Sequence, residues 1–131
     1  MTALPQLARR FAGIDIGTLT CRILIADLAS GHPLTELQSD RRILRLGEGV
    51  DQTKRLSPVA MDRVIHCLQE WRNVINSYHV EATAIVATSA VRDAANRDDF
   101  LERVKREAGF DVEVISGEEE ARRTLLGIRS G

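Results

Sequence analysis

The sequence predicts an α/β domain: a five-stranded mixed sheet flanked by helices, in the order βββαβαβα. Two observations carry this. Short apolar runs recur at residues 11–16, 22–28, 80–87 and 111–115, each closed by glycine, proline or small polar residues. Between the later runs the apolar spacing changes to three and four residues, the period of an amphipathic helix. Helices alternating with strands after a three-stranded start imply helices laid against a partly parallel sheet.

Residues 1–10 read as a flexible arm, and residues 11–131 as a single domain. Residues 11–16 form a strand ending at Gly17, and this strand is expected to be central because it looks apolar on both faces. Residues 22–28 give a second strand, followed by the turn cluster Ser30, Gly31, His32, Pro33. A third strand is placed within residues 34–46, and the three form an antiparallel meander. Ser57 and Pro58 are an N-cap and first helical residue, and Met61, Val64, Leu68, Trp71 and Ile75 make the stripe behind them. Residues 80–87 are the fourth strand. Asn96 caps a second helix carrying Phe100, Val104 and Ala108, with Lys105 and Arg106 in its last turn and Gly109 as its stop. Residues 111–115 are the fifth strand, and a last helix starts at Ser116 with Ala121, Leu125 and Ile128 on one face.

Composition narrows the function. The 131 residues are 44% hydrophobic, enough for one core, and the net charge is −1 from 18 basic and 19 acidic residues. That balance argues against nucleic-acid or membrane-surface binding, and no stretch approaches the roughly 20 apolar residues of a membrane span. Arg9 and Arg10 suggest a twin-arginine signal, but Asp15 interrupts the apolar stretch behind them and no cleavage site follows. Cys21 and Cys67 match no metal spacing and fit free thiols in a reducing cytoplasm.

Three loops following strands carry chemistry. Asp15, Gly17, Thr18 and Thr20 make a hairpin tip that offers backbone N–H groups and hydroxyls to an anion. An ordinary β-turn explains the tetrapeptide nearly as well. Asp15 tips the balance toward function, since an unpaired carboxylate in a buried strand is costly and an Asp there can hold Mg²⁺ through water. Arg22 either neutralises phosphate or points to solvent. After the fourth strand come Ser89 and Arg92, a hydroxyl and a bidentate fork suited to phosphate oxygens; a capped helix start with solvated charges is the plainer reading. After the fifth strand, Ser116 and Glu119 have capping-box spacing, which explains Glu118 and Glu119. Glu120 lies one position beyond what capping needs and is the candidate general base.

Gly13 to Thr18 with Arg22 to Asp27, Arg45 to Val50, Ala87 to Ala94 and Ile115 to Arg122, in that order, resemble the exopolyphosphatase/guanosine pentaphosphate phosphatase family over nearly everything from Gly13 onward. The resemblance implies a ribonuclease H-like lobe of the actin-like ATPase superfamily, the first of two enclosing an active site. It implies Mg²⁺-dependent hydrolysis of the terminal phosphoanhydride of polyphosphate or guanosine pentaphosphate, with Glu120 as the base and Arg92 as a phosphate ligand. Two departures stand out. Leu19 occupies the place where the family usually has Asn, and the family's Gly-rich second phosphate loop would fall beyond Gly131, in a carboxyl-terminal lobe. The chain alone is therefore expected to be inactive. An ATPase or kinase of the same superfamily, and a non-catalytic polyphosphate- or alarmone-binding module, are the alternatives, and a homodimer is left open.

Overall fold

The computed structural model describes residues 8–119 and 121–123. Five strands form one mixed sheet: β1 (Arg9–Ile16), β2 (Thr20–Leu28), β3 (Thr35–Ile43), β4 (Ala82–Ala87) and β5 (Glu113–Val114), in spatial order β3-β2-β1-β4-β5. β1 pairs antiparallel with β2 and parallel with β4, so it is central as expected. β4 and β5 are also parallel. The carboxyl ends of β1, β4 and β5 therefore open on the same edge of the sheet, where ligand loops of open α/β sheets gather.

β1 begins earlier than its apolar run because its first two residues are anchored. Arg9 pairs with Glu81 at 2.8 Å and Arg10 with Asp27 at 2.8 Å. The meander places β3 on the outer edge of the sheet, where most of its side chains are exposed.

Between β3 and β4 lie α1 (Val50–Thr53) and α2 (Pro58–Tyr78); α3 (Ser89–Arg92) and α4 (Arg97–Ala108) follow β4. α2 starts where Ser57 Oγ accepts the Ala60 N–H at 3.1 Å, with Pro58 in the first turn. Its stripe, Met61, Val64, Leu68, Trp71 and Ile75, is buried with Phe100 and Val104 of α4 against Ala12, Ile14, Ile16, Cys21, Ile23, Ile25 and Ile85 of the sheet. Burying side chains of this size contributes about 1.5–3 kcal/mol each. α4 stops at Gly109.

Three expectations are corrected. The core lies on one face of β1: Ala12, Ile14 and Ile16 point into it, while Asp15 on the other face is exposed. Alternation along a strand dictates this, and the described helices cover only that first face. Asn96 precedes α4 but makes no side-chain cap. Its amide turns instead to Leu56, donating to the carbonyl at 2.9 Å and accepting from the N–H at 2.8 Å. α1 and α3, of four residues each, have no counterpart in the expected order. No helix among the described residues is long and apolar enough to cross a membrane.

Candidate phosphate-binding site

The β1–β2 turn is shaped by Gly17. Its N–H donates to the Thr20 carbonyl at 3.1 Å, and a Cβ there would lie 2.7 Å from that oxygen. No larger residue closes the hairpin so tightly. The turn is then tied to the segment after β3. The Thr18 carbonyl accepts from Gly47 N–H at 2.9 Å, and the Leu19 carbonyl accepts from Leu44 and Arg45 N–H, both at 3.0 Å. With its carbonyl held, Thr18 presents its hydroxyl to Ser89: Thr18 Oγ1 and Ser89 Oγ are 2.9 Å apart. Ser89 opens α3 directly after β4, whose end is stitched to β1 by Thr88 N–H donating to the Ile16 carbonyl at 3.2 Å.

These two hydroxyls edge a cleft of about 180 Å³, lined also by Gly47, Val50, Asp51, Lys54, Ala90 and Asp93. Gly47 is the tightest point, since a Cβ on it would lie 2.3 Å from Thr18 Cγ2.

Of the other expected residues, Arg92, Thr20, Asp15 and Arg22 do not line this cleft. Arg92 Nη1 donates to the Ile115 carbonyl at 2.9 Å, and its Nε lies 3.5 Å from Asp93 Oδ1. It thus bridges the loops after β4 and β5. Thr20 begins β2 and lends its carbonyl to the turn. Asp15 and Arg22 are register partners on the face of the sheet opposite the core. Both line a shallow hollow of about 550 Å³ whose floor includes Gly13, Leu24, Ala84 and Val86. Asp15 is exposed, contrary to expectation, so its carboxylate bears no burial cost that a functional role would have to offset.

Glu120 falls outside the described residues. Ser116 Oγ accepts the Glu119 N–H at 3.0 Å, so half of the expected capping box is present. The Glu119 carboxylate does not return to Ser116; it accepts from Arg122 and Arg123. Hydrogen bonding to Arg122 and then Arg123 holds its pKa down to about 2. A carboxylate so acidic and so engaged is a poor base.

No three His, Cys, Asp or Glu side chains gather to hold a metal among the described residues. Asp15 lines the hollow on the other face and not the Thr18–Ser89 cleft, so a hard cation held by it would have one carboxylate and complete its shell with water and phosphate oxygens. Sequence reasoning missed Gly47, Asp51 and Lys54. Gly47 stands in one of the segments that carry the family resemblance, which was a usable signal; Lys54 left none.

The fold is that of a ribonuclease H-like lobe in which two strand-end loops bring a pair of hydroxyls together. The family model for the Ppx/GppA phosphatase family matches residues 24–131, and the chain belongs to that family. A crystal structure of the Aquifex aeolicus family member superposes with a TM-score of 0.87 at 40% identity, covering 94% of this chain and 40% of that one. The chain is 40% identical over 126 residues to Exopolyphosphatase 2 of Mycobacterium tuberculosis, covering 90% of this chain and 40% of the relative. Guanosine-5'-triphosphate,3'-diphosphate pyrophosphatase of Vibrio atlanticus is 35% identical over 118 residues, covering 90% of this chain and 24% of that protein. The chain thus spans well under half the length of these curated relatives. A nucleoside triphosphate hydrolase from Neospora caninum shares the fold at a TM-score of 0.53 and 13% identity.

Proposed function

We propose that this lobe, working with a carboxyl-terminal lobe such as the remaining length of the relatives would supply, hydrolyses the terminal phosphoanhydride bond of polyphosphate or guanosine pentaphosphate in the cytoplasm. The observation that carries the reading is the Thr18–Ser89 hydroxyl pair, two residues 71 positions apart held at 2.9 Å by β1 and β4. Isolated hydroxyls on separate loops have no structural need to meet. Once a phosphoryl group displaces the bond between them, each hydroxyl has one O–H to donate to it.

Phosphoanhydride hydrolysis is mostly positioning and charge neutralisation, with little covalent work for the protein. Thr18, Thr20 and Ser89 supply hydroxyls at the turn and the α3 start. Arg92, already bonded to the Ile115 carbonyl, brings a cation between the loops after β4 and β5, and Arg22 supplies another on the face opposite the core. Asp15 would hold Mg²⁺, which when bound neutralises phosphate oxygens. Glu120 orients the attacking water and takes its proton, while Glu119 is occupied by its two arginines.

The test is a paired kinetic assay in the full-length enzyme. Glu120→Gln keeps the shape and removes the base, so turnover should fall by about 10²–10⁴ while substrate binding persists. Glu119→Gln should leave turnover close to normal. Loss of turnover in Glu119→Gln alone would show that the wrong carboxylate has been assigned. Normal turnover in both would reduce the two carboxylates to helix-start residues.

A further inference from the structure

We propose that Lys54 binds the phosphate chain directly, as the cation of the Thr18–Ser89 cleft. This inference rests on the phosphate-chain reading of that cleft. Three observations lead to it. Asp51 and Asp93 both line the cleft, and among the described residues Lys54 is the only lysine or arginine that does. Asp93 has Arg92 beside it at 3.5 Å. A phosphate entering next to two carboxylates is repelled unless a cation inside the cleft offsets them, because like charges at contact distance oppose binding.

The ammonium of Lys54 is also uncommitted. It makes no ion pair or hydrogen bond among the described residues, although Asp51 stands one helical turn before it. Finally, the backbone at Lys54 is left-handed, with φ of 59°, a conformation that costs a residue with a Cβ about 1–2 kcal/mol and that glycine adopts freely. The surroundings hold it there. Its N–H donates to the Val50 carbonyl at 2.7 Å, its carbonyl accepts from Ala95 N–H at 2.7 Å, and Asn96 grips the backbone of Leu56 beyond it. Folding alone favours glycine at such a helix stop, and these bonds fix the backbone from which the lysine side chain extends at the cleft. A lysine suits the task, since a flexible point charge with three donors can follow phosphate oxygens that have no fixed register.

Isothermal titration of this chain with inorganic tripolyphosphate tests the assignment with three variants. Lys54→Gly removes the charge and relieves the backbone, so it should raise the melting temperature while weakening affinity about tenfold or more, as expected for loss of a charge-assisted contact. Ser89→Ala should also weaken affinity. Lys54→Arg should bind within about threefold of the unaltered chain, and the affinity of Lys54→Gly should fall less steeply with salt. A residue kept only for folding cannot produce stabilisation together with lost affinity. If Lys54→Gly binds as well as the unaltered chain while Ser89→Ala does not, the inference is overturned and the site reading survives. Arg and Gly variants equally weak would overturn it too. No binding by the unaltered chain would overturn this inference, since Lys54 and its cleft lie wholly within it, and would leave the two-lobe reading to the Glu120 assay.

Discussion

Asn96 should be the most sensitive single polar position in the domain. It is 8% exposed, and both ends of its amide are used on Leu56, itself 1% exposed, at 2.8 and 2.9 Å. Asn96→Ala leaves a buried N–H and a buried carbonyl without their partner, and each such orphan costs about 1–3 kcal/mol. Some water will enter the space vacated by the amide, so the sum should fall near the lower end, about 3 kcal/mol. For a domain of this size that is a fall in melting temperature of roughly 10 °C. Thermal and urea unfolding followed by circular dichroism would read it. Asn96→Asp gives a second handle. Its carboxylate still accepts from Leu56 N–H but turns an oxygen toward the Leu56 carbonyl, so the buried acid is stabilised by protonation. Its folded pKa is raised, and the variant should regain stability as pH falls through that value. A loss under about 1 kcal/mol in Asn96→Ala, or an Asp variant whose deficit does not change with pH, would refute the clamp.

Two further outcomes follow from packing and burial. Gly47→Ala should weaken tripolyphosphate binding, because the new Cβ would lie 2.3 Å from Thr18 Cγ2 and must rotate the Thr18 hydroxyl away from Ser89; unchanged titration would show that the cleft tolerates the shift. Burial pushes the Cys21 thiol up to about 12 and the Cys67 thiol up to about 11, so both should resist a thiolate-specific reagent at pH 8 and react fully only when the chain is unfolded in urea. Rapid labelling of the native chain would contradict that burial.

What could be read from the sequence divides along a physical line. Elements made by local chemistry were legible: the Ser57–Pro58 start, the Met61–Ile75 stripe and the Gly109 stop depend on neighbours within a few residues, and each is found where the pattern put it. The central place of β1 was also legible, though for a partly mistaken reason. Its run looked apolar on both faces, yet a period of two puts Ala12, Ile14 and Ile16 on one side and Asp15 on the other. Counting the alternation would have shown Asp15 to be accessible, which removes the desolvation argument but leaves a carboxylate better able to meet a hydrated cation. Residues whose position comes from distant backbone were not legible. Asn96 has the sequence of a cap and is diverted by Leu56, 40 positions away; Lys54 ends a helix too short to leave a period and is fixed by Ala95. Those two long-range ties join the same two segments, 54–56 and 95–96, which stand behind the cleft edged by Thr18 and Ser89. The hydroxyls facing the phosphate were therefore visible as turn chemistry, whereas the lysine proposed to complete them depends on a tertiary clamp that no local pattern records.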